Sequence, residues 1–319
     1  MVAYKDKIAQ NWQIKCEYQK IDKNQWRFGT KDKSVLVTGA KEKDPYLSGR
    51  MEFWQYLAEN QGEIAAAPLK DKNGAIVLET HKACYFAREE VKAKSVDFGS
   101  ADTLKAAAVT LGKLHKIARD FDWTQYCLPQ KNPLRYLHRM EKLMDDGEKA
   151  LSKSKKTREY NDALIKRSEE SLFLLCDGTL DNLKDNLVEN GDFVYGKINC
   201  HTLMRTDNKI KLTDLSYMAE DLAIMDLWQL FRRYLKDTTD SGTKIWEALE
   251  LYQKENPLNS QEKRALMGFL LFPYDIYRIA VSEKKKDELE KIIAKEDKRE
   301  KLYMKIYKRG AKVENENSH

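Results

Sequence analysis

The chain has 319 residues, of which 42% are hydrophobic, so it is long enough to bury one large core or two smaller ones. Charged residues make up 34% of the sequence, and 57 Lys and Arg against 51 Asp and Glu leave a net charge of only +6, which does not indicate a nucleic-acid-binding protein. The five cysteines are scattered and form no CxxC pair, which argues against a disulfide framework and against a zinc knuckle.

The first residues, MVAYKDKIAQNWQIK, lack the apolar region of a signal peptide. No run of the sequence approaches the ~18 apolar residues that a membrane span needs. We therefore expect a cytoplasmic protein that has no membrane partner.

Short alternating segments between residues 12 and 40 predict antiparallel strands, namely WQIKCEY, QWRFGT and KSVLVTGA. Asp44 followed by Pro45 is typical of a helix start, and apolar residues at helical spacing continue from Leu47 to Ala58. The segments IAAAPL and AIVLETHKACYFAR return to strand character on either side of the turn DKNG. We predict an N-terminal β-rich lobe over residues 1–90 with one inserted helix.

From Ala101 the pattern becomes helical, and ADTLKAAAVTLGKLHKIARDF places its apolar residues on one face. The run SKSKKTRE interrupts this pattern and indicates a loop or a helix junction. Within residues 193–215, VYGKI and IKLTDL look like strands around the turn RTDNK. Helices then resume, and the last is a charged amphipathic one that starts at KKKDELEK. We predict a helical C-terminal lobe over residues 91–309, with a catalytic-loop-like hairpin at 193–215, and a disordered tail at 310–319.

This order of elements is similar to that of a protein kinase-like fold, and three parts of the sequence carry a closer resemblance. TLGKLHKIARDF is similar to an "LgxfHxas" helix, and LLFPYDIYRIA is similar to a "YPexfxxia" ending. YGKINCHTLM followed by KLTDLSYMAEDLAIMDLWQLFRR is similar to "HGDxxxxNxL" followed by "IDFDxxxxDxxxxDLaxLxRR". On these residues the chain resembles the aminoglycoside phosphotransferase and choline kinase-like superfamily, and within it the spore-coat CotS-like family.

The resemblance implies an α+β, two-lobed protein kinase-like fold. Its N-lobe would be a small antiparallel β-sheet with one helix, and its C-lobe would be large and mainly α. Only the segment from Ile210 to Arg233 is highly specific, and the other matches support it.

The resemblance also implies that three catalytic motif positions are degenerate. Lys197 stands at the position of the catalytic Asp, and an ammonium has no acceptor capacity with which to take a proton. Tyr195 replaces the His two places earlier. Thr202 replaces the metal-binding Asn, although P-loop enzymes do use a Ser or Thr hydroxyl as a Mg²⁺ ligand. No intact catalytic residue remains, which predicts a pseudokinase.

Two acidic residues match acidic positions of the family pattern. Asp214 corresponds to the Asp that holds Mg²⁺, and Asp226 is expected to brace the catalytic hairpin through hydrogen bonds, which is a structural role. His115, on the helix LGKLHKIARD, is expected to be a solvent-edge or hydrogen-bonded core histidine rather than a catalytic one.

The nucleotide-binding lysine of the family is missing from the strand SVLVTGA, where Val37 or Thr38 stands at the matching place. Glu52 is the candidate for the helix glutamate that would pair with that lysine and help to hold the nucleotide.

The favoured interpretation is a non-catalytic, kinase-like binding or scaffold protein of spore coat assembly. Such a protein would reside in the cytoplasm or the spore coat, would contact other spore coat proteins and would need no cofactor. An anionic ligand at Lys197 is one hypothesis for what it binds, because an ammonium supplies positive charge without a metal.

The alternative is an active phosphotransferase that uses ATP and Mg²⁺ to modify an alcohol group of a small molecule. In that case Asp214 holds the metal, and Asn199 or Asp207 compensates for the altered groups. Binding of a polyanion is a third hypothesis, motivated by the net charge of +6, but nucleic acid is not the expected partner because no recognition motif accompanies the basic runs.

Overall fold

The computed structural model describes residues 8–14, 18–22, 25–29, 34–40, 44–80, 83–91, 93–153, 155–176, 178–190, 192–207, 209–238, 242–282, 286–297 and 299–316. The chain divides into two compact units. The first comprises Met1–Val96, Lys116–Pro129 and Tyr195–Ala219; the second comprises Asp97–His115, Gln130–Val194 and Glu220–His319. Most of the hairpin segment therefore belongs to the unit that contains the N-terminal sheet. The boundary predicted at residue 90 would instead place the sheet and the hairpin in different lobes.

A sheet of short strands forms the N-terminal part of the first unit. The strands lie in the order β1-β2-β3-β6-β4, and β5 pairs with β6. All of these pairs are antiparallel, as predicted. The bounds are β1 Tyr18–Asp22, β2 Gln25–Gly29, β3 Ser34–Ala40, β4 Pro68–Leu69, β5 Val77–Glu79 and β6 Cys84–Glu89.

The two faces of this sheet have different neighbours because successive side chains of a strand point to opposite sides. On one face, Val37 lies opposite Ala87, and both are fully buried in an apolar cluster. On the other face, the ring of Phe86 lies 5.7 Å from the ring of Trp54. Trp54 belongs to helix α1, Leu47–Asn60, which therefore covers the second face.

The start of the described chain differs from the prediction of a strand from Trp12. Residues 8–11 form a helical turn. Ile8 and Trp12 are four residues apart, so this turn brings their apolar side chains to the same side. Both are buried in the apolar cluster of the sheet, and the first strand begins only at Tyr18.

The start of α1 also lies later than predicted. Asp44 accepts a hydrogen bond from the amide of Tyr46 at 3.0 Å, and its carbonyl accepts one from the amide of Leu47. These contacts close a turn over the residues that were predicted to open the helix, so the helix begins at Leu47.

A second sheet of the first unit contains the hairpin. Its strands are β7 Lys94–Ser95, β9 Leu203–Thr206 and β10 Lys209–Leu212, in the order β10-β9-β7. The segment VYGKI was predicted to be the first strand of the hairpin, but Leu203 of β9 lies opposite Leu212 of β10 instead. The remaining described strands are β8 Phe193–Val194 and β11 Ala219–Glu220.

The second unit is built mainly from helices. Helix α2, Ala101–Asp120, belongs to it as far as His115. The other helices are α3 Leu134–Leu151, α4 Lys155–Leu175, α5 Thr179–Asn190, α6 Ile224–Asp237, α7 Thr243–Glu255, α8 Ser260–Leu271, α9 Tyr274–Ala280, α10 Lys286–Asp297 and α11 Glu300–Glu316. The break between α3 and α4 falls within SKSKKTRE, so the predicted helix junction is confirmed.

The core of this unit consists of apolar faces with helical spacing. Phe231, Phe269 and Tyr277 are each at most 1% exposed. Helix α8 has a capping box, in which the Asn259 side chain accepts from the amide of Glu262 and the Glu262 carboxylate accepts from the amide of Asn259. Such caps satisfy amides that have no partner within the helix.

The C-terminal segment forms two helices, whereas the sequence predicted one. Arg299, between α10 and α11, turns inward and donates hydrogen bonds to the carbonyls of Leu235 and Thr238. The predicted apolar stripe is nevertheless buried, except for the half-buried Ile292: Leu289, Ile293, Leu302 and Ile306.

The backbone of α11 is helical as far as Glu316. Residues 310–316 therefore differ from the prediction of a disordered tail, and residues 317–319 lie outside the described part of the chain. Among the described helices, none combines the length and the apolar character that crossing a bilayer requires. The described cysteines, Cys84, Cys127, Cys176 and Cys200, are free thiols.

Candidate functional site

The segment after β8 is shaped by Gly196, which has a φ of +82°. A Cβ atom at this position would lie 2.5 Å from the carbonyl oxygen of Tyr217, so only glycine fits the observed backbone. This left-handed residue ends the extended segment and explains why the predicted strand VYGKI does not form.

Lys197, the next residue, is held by an aromatic side chain. Its ammonium donates a hydrogen bond to the Tyr217 hydroxyl at 2.7 Å and lies 3.9 Å from the centroid of the Tyr217 ring. Among the described residues no acidic group forms an ion pair with Lys197. Residue 197, which the sequence resemblance matches to a catalytic carboxylate, is therefore a partly exposed cation whose described partner is neutral.

Tyr195 is a buried structural link within the same segment. Its hydroxyl donates to the carbonyl of Thr202 at 2.5 Å and accepts from the amide of Asp214 at 3.4 Å. Burial raises the pKa of Tyr195 well above its ordinary value, and the charge of Asp214 raises it further. The phenol thus stays neutral and joins the two sides of the hairpin.

The Thr202 hydroxyl is engaged inside its own loop. It donates to the carbonyl of Lys197 at 2.5 Å and accepts from the amide of Asn199 at 3.2 Å, and the residue is only 3% exposed. The Asn199 side-chain oxygen accepts from the amides of His201 and Thr202 at 2.7 and 3.0 Å. Both side chains fold the loop, so neither presents a free oxygen to a metal ion.

Asp207, the other residue that the enzymatic alternative invoked, lies at the turn of the hairpin. It has a φ of +50° and is exposed, and its carbonyl accepts from Nε of Arg205 at 3.1 Å. This geometry is that of a turn residue, which Asp tolerates better than most side chains.

Asp214 is half-buried and is held by the residue two places on. One carboxylate oxygen, Oδ1, accepts from the Ser216 amide at 3.0 Å and from the Ser216 hydroxyl at 2.6 Å. No described hydrogen bond reaches Oδ2. Asp214 therefore has one oxygen that is fixed by the backbone and one that remains for a ligand or for solvent.

A buried arginine that the sequence analysis did not identify interacts with Asp214. Arg88 lies on β6 opposite Leu36 of β3, on the sheet face that α1 covers, and is 5% exposed. Burial lowers the pKa of its guanidinium, and the negative charge of Asp214 is the largest effect that opposes this. Its one described hydrogen bond runs from Nη1 to the carbonyl of Glu89 at 3.2 Å.

The missed signal was the composition of the strand. CYFARE is a short segment whose first five residues are buried, and alternation places Arg88 on the same side as Phe86. A charged residue in a buried strand is uncommon unless it has a polar partner. This rule could have identified Arg88 as a candidate site residue from the sequence.

Glu52 is not brought to Asp214 by any described contact. It is exposed on α1 and lines a surface groove with Phe121 and Tyr126. The inward polar residue of α1 is instead Arg50, which is 6% exposed. Arg50 donates from Nε to the carbonyl of Met218 at 2.9 Å and from Nη1 to the carboxylate of Asp44 at 2.6 Å.

Neither of the β3 residues that the resemblance matches to a nucleotide-binding lysine is a cation. Val37 belongs to the apolar cluster and is completely buried, and the hydroxyl of Thr38 accepts from Gln25 at 3.2 Å. In the described part of this unit, the contacts given above place Lys197, Arg88 and Arg50 around the candidate site.

In the second unit, Asp226 is part of a buried hydrogen-bond network. Its Oδ2 lies 3.1 Å from Nε2 of His115, and Nδ1 of His115 lies 2.8 Å from the Tyr252 hydroxyl. The Asn256 side chain donates to the same hydroxyl at 2.7 Å. His115 is thus a hydrogen-bonded core residue, and the expected brace between Asp226 and the hairpin stays a prediction.

The residues present do not fit a magnesium nucleotide of the kind that kinases use. Mg²⁺ prefers several oxygen ligands, but the Thr202 hydroxyl is occupied and Asp214 has only one oxygen that no described hydrogen bond reaches. Among the described residues, no group of three or more His, Cys, Asp or Glu side chains could hold a metal ion.

Comparison with solved structures identifies the fold. The chain aligns over 97% of its length with 95% of an aminoglycoside phosphotransferase from Alicyclobacillus acidocaldarius, with a TM-score of 0.81 and 16% identity. It therefore has a kinase-like, aminoglycoside phosphotransferase-type fold. The predicted α+β fold class is confirmed by this match.

Two further structures have the same overall fold. The amicoumacin kinase hAmiN, in complex with AMP-PNP and Ca²⁺, aligns over 94% of this chain and 93% of its own, with a TM-score of 0.60 and 14% identity. A microcompartment-associated aminopropanol kinase aligns over 94% of this chain and 95% of its own, with a TM-score of 0.57 and 11% identity. No family model matches the sequence, and no curated protein matches it significantly.

Proposed function

We propose that this chain is a pseudokinase: a protein with a kinase-like fold that binds a ligand or partner but transfers no phosphoryl group. The observation that carries the proposal is the contact of Lys197 with Tyr217 at the catalytic position. An ammonium has three donors and no acceptor, so it cannot take a proton from a hydroxyl group. Loss of a general base alone lowers the rate by about 10² to 10⁴.

The surroundings of Asp214 support the same conclusion. A divalent cation is held by the negative charge of its ligands, and Arg88, a buried cation of the same unit, interacts electrostatically with Asp214, which makes that carboxylate less favourable for a second cation. Thr202 cannot replace the missing ligand, because its hydroxyl is already hydrogen-bonded on both sides within the loop. The base position and one metal-ligand position, Lys197 and Thr202, thus differ from the motif, while Asp214 matches it.

The chemistry that remains favours an anionic ligand. Lys197 is partly exposed, and Arg88 makes a single described hydrogen bond, so both retain donors for an anion. A guanidinium is planar, always charged and well matched to the oxygens of a phosphate or carboxylate group. We propose a phosphate-bearing anion without a bound metal, because these cations supply the positive charge that a metal would otherwise bring.

The biological setting of the proposal depends on the sequence motifs. Similarity to the spore-coat CotS-like family supports a binding or scaffold role in spore coat assembly, in the cytoplasm or in the coat, with other spore coat proteins as partners. Recovery of the tagged chain from fractionated spores would test this placement, and its absence from both the mother cell and the coat would contradict it.

One observation favours the enzymatic alternative. Oδ2 of Asp214 has no described hydrogen bond and remains able to hold Mg²⁺. An active enzyme would therefore show ATP turnover that depends on Mg²⁺ and is abolished in Asp214→Asn.

A thermal-shift series with ATP, ADP and pyrophosphate, each in EDTA and in excess Mg²⁺, separates the two functions. A ligand at 100 times its Kd contributes about 2.7 kcal/mol, which raises Tm by roughly 5 °C. We expect stabilisation in EDTA, no larger effect with Mg²⁺, and no turnover under either condition.

Variants make this test specific. Lys197→Met is expected to weaken the stabilisation, and Lys70→Met, an exposed lysine of the same unit, serves as the matched control. Asp214→Asn is expected to bind the anion equally or more tightly, because it removes a repelling charge. Mg²⁺-dependent turnover, or loss of ligand binding in Asp214→Asn, would contradict the pseudokinase proposal.

A further inference from the structure

A surface groove of about 330 Å³ lies in the first unit, on the exposed side of α1. Its other wall is the segment that follows α2. The groove combines three carboxylates with three aromatic rings, contributed by Glu52, Glu59 and Asp122 and by Tyr56, Phe121 and Tyr126. Nothing in the proposed function uses it, so the inference drawn from it is independent of that proposal.

The rings form a connected floor. The Phe121 ring lies 5.8 Å from that of Tyr126, nearly parallel to it, and 5.2 Å from that of Tyr56. It also packs edge-on against the buried Phe53 at 5.3 Å. The half-buried rings are therefore fixed in place from below, and aromatic faces attract cations that lie within about 6 Å of them.

The carboxylates form an exposed rim. Glu52 and Glu59 lie seven residues apart on α1, which separates them by about 10 Å along the helix axis. Asp122 accepts hydrogen bonds from the Thr124 hydroxyl and amide through Oδ1, and these bonds lower the pKa of its carboxyl. No described hydrogen bond reaches its other oxygen, Oδ2.

A buried acceptor within the groove also lacks a partner. The side-chain amide of Gln55 donates to Glu59 at 2.5 Å, whereas its Oε1 atom is buried and has no hydrogen-bond partner in the described part of the chain. A buried acceptor without a donor is unfavourable, so the Gln55 side chain is a weak point of the fold beside the groove.

The charge of the groove is opposite to that of the protein. No Lys, Arg or His is among the residues that line it, although the chain has a net charge of +6. A cationic ligand is repelled by the protein as a whole, so binding here depends on the local carboxylates and rings.

We propose that this groove docks a basic segment of a partner protein, with Arg or Lys side chains placed over the rings and between the carboxylates. The partner is a protein segment, because exposed ion pairs each contribute only about 0.2–1 kcal/mol, too little to offset the entropy that a free amine loses on binding. A segment shares that cost over several contacts. In an extended peptide, alternate side chains point to one side about 7 Å apart, and long, flexible Arg side chains can spread from that spacing to carboxylates about 10 Å apart on α1.

The test uses fluorescence anisotropy of a labelled peptide, Gly-Arg-Gly-Arg-Gly, with the full chain at low salt. The same peptide with Gln in place of Arg is the ligand control. We expect binding of the Arg peptide only, and weaker binding as salt is raised.

Two double variants with the same change of charge test the location. Glu52→Gln with Glu59→Gln is expected to weaken binding about tenfold. Glu79→Gln with Glu89→Gln, which changes two exposed carboxylates of the same unit outside the groove, is expected to leave it within about twofold of the unmodified chain. Tyr56→Leu keeps every charge and is expected to weaken binding about threefold, because it removes one ring.

Three other outcomes would overturn the proposal. No binding of the Arg peptide, or equal loss in both double variants, would exclude a docking site in the groove. Full displacement of the peptide by spermidine at the same concentration would show a site for a small amine instead of a protein segment.

Discussion

Asp214 and Asp226, the two aspartates that the sequence resemblance identified, have opposite surroundings. Asp226 is completely buried and lies 3.1 Å from His115 in a network of neutral and paired polar groups. Asp214 is half-buried, accepts hydrogen bonds from Ser216 and interacts with the buried charge of Arg88. A carboxylate inside a fold must be fully hydrogen-bonded whatever the protein does, whereas a carboxylate at a site can be retained while its chemical partners change.

The largest expected effect is the loss of the Asp226 network. Asp226→Ala leaves His115 buried without its acidic partner, and we expect it to lower the free energy of unfolding by about 3–5 kcal/mol, measured by thermal or denaturant unfolding. Asp226→Asn keeps an acceptor of the same size and is expected to cost much less. Equal stability of the Ala variant and the unmodified chain would show that the network contributes nothing to the core.

The backbone at the hairpin gives the next effect. Gly196→Ala forces a Cβ against the Tyr217 carbonyl as well as into a left-handed conformation, and we expect a loss of about 2–3 kcal/mol with a lower Tm. Gly74→Ala is the matched control, because Gly74 has a φ of +85° and no atom lies within 4 Å of the added Cβ. If both variants lose the same stability, the contact with Tyr217 is not the cause.

A third carboxylate tests whether pairing, rather than burial alone, keeps a buried acid ionised. Burial raises the pKa of Glu296, but Arg167 and Arg299 lower it by more, so the pKa lies below its ordinary value. Stability from this group is present above the unfolded pKa of about 4.3 and is lost as the pH falls through the lower folded value.

Glu296→Gln removes this pH dependence. We expect the variant to be less stable than the unmodified chain at pH 7, by about 1–3 kcal/mol, and the difference to shrink below about pH 4. Unfolding of both proteins between pH 3 and pH 7 measures it. A difference that grows on acidification would mean that Glu296 is protonated in the fold.

The smallest effect on stability is expected at Lys197. Lys197→Met removes a partly exposed ammonium and its contact with Tyr217, and we expect a change of about 0.5 kcal/mol or less. Tyr217→Phe keeps the ring but removes the hydroxyl, and should change stability by a similar amount. A loss above 2 kcal/mol in Lys197→Met would give this residue a structural role like that of Asp226.

The sequence predicted the order of the elements because periodicity and turn residues are local signals. The strands QWRFGT and KSVLVTGA, the start of α2 at Ala101 and the junction after Leu151 follow from such signals. The bounds that differ were decided by contacts that a local pattern does not contain. Asp44 closes a turn instead of capping the helix, and Arg299 interrupts the last helix by bonding to distant carbonyls.

The sequence predicted only those residues of the candidate site that the spacing of the motifs identifies. The spacing located Asp214, Lys197 and Thr202, but it could not show that the Thr202 hydroxyl is occupied by its own loop. Arg88 was missed because its electrostatic interaction with Asp214 joins residues that are far apart in sequence. Glu52 was chosen for its place on the helix, but only the structure shows that its side chain lines the exposed groove of α1.

The two hydrogen bonds of the Thr202 hydroxyl limit what a single substitution at the candidate site can achieve. An acid placed at residue 197 would supply a proton acceptor, yet the Thr202 hydroxyl would still be hydrogen-bonded to the backbone on both sides within its loop. A single change at residue 197 is therefore not expected to produce Mg²⁺-dependent turnover of ATP if the chain is the pseudokinase that we propose.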